Sequence, residues 1–524
     1  MKSASQTPRL GATFLVALLV LGACSTSGGS AAPTTTKPRP TTSSSTSSTS
    51  TSTSTSTSTS TSTSTSTSTN IPGAQKLIWT DCDDGFQCGS LEVPVNYAKP
   101  NGPTITLGLT KRPATKASER IGSLIMNPGG PGGSATDFIE GTPLPTELTQ
   151  RFDIVGFDPR GVGRSDPLSC RTNLQGIYDA DPTMEDDLDR AAYLKVSRAF
   201  VNECAKNYKA LLPFLGTVNV ARDMDQVRAA LGDEKLTYVG YSYGTSIGQQ
   251  YARLFPTKVR AMVLDGVVDS SLTGLQGAAL QAKGFTQALK NFVTQCDRTG
   301  CGFDGAADEV IDQVMAKAEK TPILARRKDR PAGPGAVSLA LSQALYSETL
   351  WPELARALSQ GVKGNGNGLV QLADAYLQRN PDGSYPNGFE IYFGVSCLDA
   401  AWPKDPQVVL DTAKFVGAVY PRVGEALVND YVRCALWPGK PQPLKPVDNT
   451  IKGLPPVVVI STTGDPATPY ESGLKVAAQI PTGVLLTNKG EGHTVFGLGK
   501  PCVDDTVTRY LVDIVAPKKG LICE

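Results

Sequence analysis

The chain has 524 residues, with 50 lysines and arginines against 49 aspartates and glutamates, so its net charge is +1. A balanced charge without a block of basic residues argues against a nucleic-acid partner. The sequence holds a single histidine, His493, which is too few for a histidine-ligated metal centre or a histidine-based pH switch. Any chemistry that needs an imidazole therefore depends on this one residue.

The N-terminal segment has the pattern of a bacterial export signal. Two basic residues precede an apolar run over residues 14–20, which is too short to span a bilayer. Two small residues then lead to Cys24 in a sequence that resembles a lipobox. We expect residues 1–23 to be a signal peptide and Cys24 to carry a lipid that anchors the protein to the outer face of the membrane. Ordinary signal cleavage, with Cys24 incidental, is the alternative.

Serine and threonine dominate residues 24–72, with a strict alternation of the two through the fifties and sixties. A tract of this composition cannot bury enough apolar surface to offset the entropy of the chain. We therefore predict a disordered stalk that holds the folded part of the protein away from the membrane.

The ten cysteines other than Cys24 suit a disulfide framework in an oxidising compartment. They fall as close neighbours in the sequence, and this spacing predicts the pairs Cys82 with Cys88, Cys170 with Cys204, Cys296 with Cys301, Cys397 with Cys434, and Cys502 with Cys523. Zinc binding is the rival interpretation. It is disfavoured because the sequence has no CxxC pair and its one histidine belongs to a different motif, described below.

Short apolar runs recur from residue 73 onward, separated by turn residues and helical patterns. The predicted strands cover residues 123–126, 153–157, 236–240, 261–265, 457–461 and 484–487. Between the second and third of these, residues 218–231 carry apolar side chains at helical spacing. Strands that alternate with helices indicate an α/β fold with a mostly parallel sheet flanked by helices.

The alternation stops near residue 268 and resumes near residue 452. The segment between shows helical patterns over residues 274–296, 309–320, 338–361 and 369–379. We predict a core in two parts, 73–268 and 451–524, interrupted by a large, mainly helical cap over 269–450. An insertion at the ends of sheet strands is well placed to act as a lid.

A GxSxG motif at residues 240–244 provides the candidate nucleophile, Ser242. The motif alone is weak, but here a predicted strand leads into it and a helical pattern over residues 245–254 leads out. A strand, a sharp turn and a helix form a nucleophile elbow, in which glycines permit the strained turn that exposes the serine hydroxyl.

A serine at its ordinary pKa needs an adjacent base, which a third group must hold in place. His493 follows the last predicted strand, and Asp465 follows the strand before it. The chain order of serine, aspartate and histidine is that of α/β hydrolases, and differs from the orders in chymotrypsin and subtilisin. Asp265, at the end of its own strand, is a rival for the orienting acid.

Acyl transfer also needs two N–H donors for the developing oxyanion. The N–H of Tyr243, directly after the nucleophile, is one candidate. A loop rich in glycine and proline over residues 127–134 follows the first predicted strand, and Gly130 or Gly129 would supply the second donor.

Five motifs occur in a fixed order: GGPG at 129–132, FDPRGVGRS at 157–165, the elbow at 240–244, DPATP at 465–469 and GHT at 492–494. From about residue 75 to the C-terminus, the sequence resembles the proline iminopeptidase and tripeptidyl aminopeptidase branch of the α/β hydrolases. The resemblance implies Ser242 as nucleophile, Asp465 as orienting acid and His493 as general base and acid, beneath a substrate-restricting cap. Pro128 stands where iminopeptidases often have histidine, which points away from a strict proline iminopeptidase.

The expected activity is hydrolysis of short peptides, of two or three residues, from free N-termini through an acyl-enzyme, with no cofactor. Recognition of a free amine calls for carboxylates in the cap, and the candidates, among which the sequence does not choose, are Glu348, Glu353, Glu390 and Asp399. A carboxylesterase or lipase with the same triad is the alternative. A non-catalytic surface binding module is the second alternative, and the oligomeric state stays open.

Overall fold

The computed structural model describes residues 75–170, 173–327 and 330–524. The predicted signal peptide, the Cys24 lipidation site and the predicted stalk lie outside these ranges. Within them, no helix has both the length and the apolar character needed to cross a membrane.

A ten-stranded sheet organises the described part of the chain. Its strands are β1 (Thr80–Asp81), β2 (Gln87–Pro94), β3 (Thr104–Arg112), β4 (Gly122–Asn127), β5 (Phe152–Phe157), β6 (Leu236–Tyr241), β7 (Val259–Asp265), β8 (Val457–Gly464), β9 (Gly483–Glu491) and β10 (Leu521–Cys523). They lie in the order β1-β2-β3-β5-β4-β6-β7-β8-β9-β10. The first three neighbouring pairs in this order, β1 with β2, β2 with β3 and β3 with β5, are antiparallel. The remaining pairs, from β5 with β4 to β9 with β10, are all parallel. The prediction of a mostly parallel sheet is confirmed.

The six predicted strands correspond to β4 through β9. Every residue of β4 and of β6 is buried, because helices cover both faces of a parallel sheet, and such strands form continuous apolar runs in the sequence. Exposed and buried residues alternate instead in the second half of the antiparallel β2. The sequence analysis missed β1 to β3 and the three-residue β10, which lack continuous apolar runs.

The described ranges contain seventeen α-helices, of which the last two follow β8 and β9. They are α1 (Ala135–Gly141), α2 (Thr146–Arg151), α3 (Leu174–Tyr178), α4 (Asp187–Tyr208), α5 (Thr217–Ala230), α6 (Tyr243–Leu254), α7 (Gly274–Thr299), α8 (Ala307–Lys320), α9 (Pro334–Leu345), α10 (Trp351–Val362), α11 (Asn367–Tyr376), α12 (Gly388–Asp399), α13 (Pro406–Val419), α14 (Gly424–Asn429), α15 (Val432–Leu436), α16 (Tyr470–Gln479) and α17 (Pro501–Asp513).

Nine of the described helices, α7 to α15, lie between β7 and β8, in the segment expected to form the cap. Side chains of α7 to α11 share an apolar core that includes Phe292, Ile311 and Leu354. Helix α4 precedes this segment in the chain but packs with it, since Tyr193 shares a buried cluster with Val432. The sequence analysis missed α4 and also α12 to α15.

The single helix predicted over residues 338–361 is wrong. Helix α9 ends at Leu345 and α10 begins at Trp351, with a 3-10 turn between them. Pro352 explains the break, because a proline inside a continuous helix lacks its N–H and clashes with the carbonyl one turn earlier, whereas the first turn accepts it. The chain is therefore free to turn after Tyr346.

The five predicted disulfides are all present, which confirms the neighbour pairing. They join Cys82 to Cys88, Cys170 to Cys204, Cys296 to Cys301, Cys397 to Cys434, and Cys502 to Cys523.

Candidate active site

Ser242 occupies a strained turn between β6 and α6. Its φ and ψ are 53° and −124°, a conformation that costs free energy in a residue with a side chain and persists only where the surrounding structure imposes it. The Ser242 N–H donates to the carbonyl oxygen of Asp265 at 2.9 Å, which fixes the turn to the end of β7. A Cβ on Gly240 would lie 2.4 Å from the carbonyl oxygen of Gly244, so the close approach requires glycine.

Asp465 and His493 follow β8 and β9, which are parallel neighbours in the sheet. Their loops therefore meet at the same edge, and the Nδ1 atom of His493 lies 2.9 Å from each carboxylate oxygen of Asp465. The Asp465 side chain is fully buried. It accepts further hydrogen bonds from the N–H of Ala467 and from both the N–H and the hydroxyl of Thr468, all within 2.9 Å.

The second ring nitrogen of His493, Nε2, is buried and has no hydrogen-bond partner among the described residues. With Nδ1–H directed at Asp465, the lone pair of Nε2 is free to accept a proton. Burial acts to lower the pKa of His493, but the charge and hydrogen bond of Asp465 outweigh it and raise the pKa above its ordinary value.

The imidazole and the elbow meet at Gly266. A Cβ on Gly266 would lie 3.0 Å from the Cε1 atom of His493. The preceding residue, Asp265, is the one whose carbonyl holds the N–H of Ser242. The structure thus brings all three sequence-predicted residues, Ser242, Asp465 and His493, to one edge of the sheet.

The rival acid, Asp265, has a different position. Its Oδ2 atom accepts hydrogen bonds of 2.8 Å from the N–H groups of Val495 and Phe496, so its carboxylate holds the loop that follows His493 and makes no hydrogen bond to the imidazole. Burial raises the pKa of Asp265 to about 6.

The loop over residues 127–134 packs directly on the elbow. A Cβ on Gly129 would lie 2.8 Å from the Cβ of Ser242. The N–H of Gly129 already donates to the side-chain oxygen of Asn127 at 3.0 Å. Of the two glycines that the sequence left open as oxyanion donors, only Gly130 therefore retains an uncommitted N–H in this structure.

A buried carboxylate from the FDPRGVGRS motif holds the end of the same loop. Asp158 accepts hydrogen bonds from the Ser134 hydroxyl, from the N–H and hydroxyl of Thr136, and from the N–H of Arg164, each at 3.0 Å or less. The sequence analysis recognised the motif but assigned Asp158 no role. The structure shows that it joins two loops beside the elbow.

Tyr346 is a site residue that the sequence analysis missed. Its carbonyl oxygen accepts the N–H of His493 at 2.9 Å, and its ring meets the imidazole edge-on at 5.3 Å between centroids. This contact depends on the break between α9 and α10, which the prediction of one continuous helix concealed. The proline at position 352 was the signal that could have revealed it.

The four candidate cap carboxylates differ in environment. Glu348 is exposed and Glu353 is half-buried. Asp399 is half-buried and accepts hydrogen bonds from the N–H and hydroxyl of Thr217. Glu390 is buried, with an Oε2 atom that no described residue contacts through a hydrogen bond.

The parallel sheet, the strained serine and the aspartate–histidine pair define an α/β hydrolase. The chain belongs to the alpha/beta hydrolase fold family, whose sequence model matches residues 122–499. It is similar to serine protease Hip1 of Mycobacterium tuberculosis, with 38% identity over 86% of this chain and 91% of that protein. It is also similar to the tripeptidyl aminopeptidase of Streptomyces lividans, with 35% identity over 85% of this chain and 86% of that protein. Carboxylesterase B of M. tuberculosis is 36% identical over 83% of this chain and 86% of that protein.

Proposed function

We propose that this protein is a serine peptidase that releases short peptides, of two or three residues, from free N-termini through an acyl-enzyme on Ser242. The observation that carries the proposal is the His493 imidazole, held at 2.9 Å by Asp465 and with a buried, unpartnered Nε2 atom beside the elbow. The similarity to a serine protease and to a tripeptidyl aminopeptidase supports the substrate class.

In the proposed reaction, Nε2 of His493 accepts the proton of the Ser242 hydroxyl while Oγ attacks the carbonyl carbon of the scissile peptide bond. Nε2 then gives this proton to the leaving amine nitrogen as the C–N bond breaks. A water molecule attacks the resulting ester by the same route in reverse, and the peptide acid is released. Asp465 stabilises the imidazolium that exists between the two transfers.

The tetrahedral intermediate carries a negative oxygen, which needs preorganised donors. We assign these to the N–H of Tyr243, at the first position of α6, and the N–H of Gly130. The first N–H groups of a helix have no intrahelical acceptor, so that of Tyr243 is available. The contact between Gly129 and the elbow holds the loop close to Ser242.

Ester hydrolysis is the second candidate, because a triad attacks esters as well as amides and one similar protein is a carboxylesterase. The test compares a tripeptide anilide with a free amino group, its N-acetylated counterpart and a simple acyl ester, with Ser242→Ala as the control. Preference for the free tripeptide, lost in Ser242→Ala, supports the peptidase. Preference for the ester supports the esterase, and inactivity of the wild-type protein on all three supports a binding module.

We also propose that the protein is exported and anchored by a lipid on Cys24, which would place the peptidase at the outer face of the membrane. The basic, apolar and small residues that precede this cysteine support the proposal. Metabolic labelling with radioactive palmitate tests it, since the wild-type protein should incorporate the label and Cys24→Ala should not. Equal labelling of both would contradict the anchor site.

A further inference from the structure

Helix α7 of the cap contacts the loop that carries the acid of the triad. The side-chain amide of Gln281 donates to the carbonyl oxygen of Ala467 at 3.2 Å. A Cβ on Gly284 would overlap the carbonyl oxygen of Pro466, so the helix approaches this loop as closely as a glycine permits. Pro466 and Ala467 directly follow Asp465. The cap therefore packs on the backbone that positions the orienting acid.

The same helix reaches the loop that carries the base. The Nδ2 atom of Asn291 donates to the Oε1 atom of Glu491 at 2.9 Å, and Glu491 stands two residues before His493. Gln287, one turn earlier on α7, donates to the Oδ1 atom of Asn291 at 2.9 Å. This second hydrogen bond orients the amide of Asn291 so that its N–H faces the carboxylate.

The Glu491 side chain also packs against the end of β8. A Cβ on Gly464, the residue before Asp465, would overlap the Oε2 atom of Glu491. This oxygen is buried and has no hydrogen-bond partner among the described residues. Burial raises the pKa of Glu491, the hydrogen bond from Asn291 opposes the shift, and the charge of Glu348 adds to it. Asn291 thus offsets part of the cost of burying this carboxylate.

A second contact with the cap follows directly in the sequence. The N–H of His493 donates to the carbonyl oxygen of Tyr346 at 2.9 Å, and a Cβ on Gly492 would lie 3.0 Å from the same oxygen. The consecutive residues 491–493 are therefore held by α7 and by the turn that follows α9. Because both contacts act on this short stretch of backbone, the position of Glu491 affects the position of the imidazole.

We propose that Glu491 is a positioning residue for His493, and that its hydrogen bond with Asn291 makes the cap helix α7 part of the support of the catalytic base. The inference rests on the proposed function, which needs Nε2 of His493 to reach the hydroxyl of Ser242. A displacement of about 1 Å in a catalytic group costs about 10²-fold in rate. Loss of the hydrogen bond should therefore lower kcat on every substrate, while KM changes little because neither residue touches the substrate in this assignment.

The competing role for the pair of Asn291 and Glu491 is a structural link that stabilises the fold without affecting the imidazole. A structural link predicts a lower melting temperature with an unchanged kcat per active site. The positioning role predicts a lower kcat in molecules that remain folded. Titration of the active sites to completion with a fluorophosphonate probe counts the competent molecules, so that kcat is compared per active site.

The experiment exchanges the donor and the acceptor of this hydrogen bond. It measures kcat and KM of the full-length enzyme on a tripeptide anilide and on p-nitrophenyl acetate, at a pH where His493 is neutral. Asn291→Asp replaces the donor by a second carboxylate, and we expect kcat on both substrates to fall about ten- to a hundred-fold. Glu491→Gln keeps an acceptor oxygen but loses the charge, so kcat should fall only about two- to five-fold.

The double variant tests the hydrogen bond itself. In Asn291→Asp/Glu491→Gln, the amide introduced at position 491 can donate to the carboxylate introduced at position 291. Asn291→Asp should therefore cost less than about two-fold in kcat when Glu491→Gln is already present. Asn291→Ala removes the donor without adding a charge, and it should lower kcat even if Asn291→Asp fails to fold. Gln371→Glu, a change of amide to acid at an exposed position of α11, is the matched control and should leave kcat unchanged.

Three results would overturn the assignment. They are a wild-type kcat per active site in Asn291→Ala, a change confined to KM, and a double variant no more active than Asn291→Asp. Inactivity of the wild-type enzyme on both substrates is a different outcome, in which the proposed function fails.

Discussion

The Nδ1 atom of His493 lies 2.9 Å from both carboxylate oxygens of Asp465. This contact selects the imidazole tautomer whose Nε2 lone pair is free, and it raises the pKa of the ring against the effect of burial. The imidazole must be neutral to accept the serine proton. Because its pKa is raised, we expect activity to begin to fall at a higher pH on acidification than it would with an ordinary histidine.

Replacing Asp465 with asparagine should act on rate and on pH dependence together. We expect kcat/KM to fall by about 10⁴-fold, the effect of removing the charge that holds the tautomer in a serine triad. The pKa of His493 should fall, so the acidic limb of the residual activity should move to lower pH. A profile of kcat/KM from pH 5 to 9 measures both, and an unchanged rate would contradict the role of Asp465.

Asp265 provides the matched comparison, because it is equally buried and close in space but accepts two backbone N–H groups instead of the imidazole. Asp265→Asn keeps an acceptor oxygen and should retain most of the activity. Asp265→Ala leaves two buried N–H groups unpaired and should lower the free energy of unfolding by about 1–3 kcal/mol for each. Chemical denaturation and the tripeptide assay test these expectations. A loss in Asp265→Asn as large as that in Asp465→Asn would assign Asp265 to the triad.

The half-buried Asp399 should make stability depend on pH. Burial raises its pKa from 3.8 to about 7, although the hydrogen bonds from Thr217 oppose the shift. The folded state therefore favours the protonated carboxyl group of Asp399. The contribution of this group to the free energy of unfolding is largest below about pH 4 and is lost as the pH rises to about 7. Asp399→Asn cannot ionise, and its melting temperature relative to wild type should rise between pH 4.5 and 8. A constant difference in melting temperature would contradict a raised pKa of Asp399.

The disulfide between Cys397 and Cys434 should matter more for stability than the one between Cys82 and Cys88. The first closes a loop of 37 residues and joins α12 to α15, while the second spans only 6 residues. In the chain-entropy description, a longer loop gives a larger stabilisation, typically about 2–4 kcal/mol. Paired alanine substitutions at each bridge, compared by chemical denaturation, test this order. A larger loss at the short bridge would contradict it.

Much of the hydrolase core could be predicted because its signals are local in the sequence. Strands β4 to β9 lie between layers of helices, so each forms a continuous apolar run that is visible without any partner. Ser242 stands in a motif flanked by a strand and a helix, and Asp465 and His493 each follow a strand. Strands β1 to β3, at the antiparallel end of the sheet, and the edge strand β10 carry no such run and were missed.

The cap could not be predicted to the same depth, since its site residues come from separate helices. Tyr346 lies between α9 and α10, and Tyr376 ends α11. Only tertiary packing brings the ring of Tyr346 against the imidazole of His493 and near the ring of Tyr376. No local pattern in the sequence signals these contacts.

The central claim is that His493, the one histidine of the chain, activates Ser242 for attack on a carbonyl. The most direct test is labelling with a fluorophosphonate probe, which reacts with an activated serine, followed by mass spectrometry of the digested protein. We predict a single adduct on Ser242 in the wild-type enzyme and a large loss of labelling in His493→Ala, whose melting temperature should stay near that of wild type. Labelling of Ser242 at the wild-type rate in His493→Ala, or an adduct on another residue, would contradict the account.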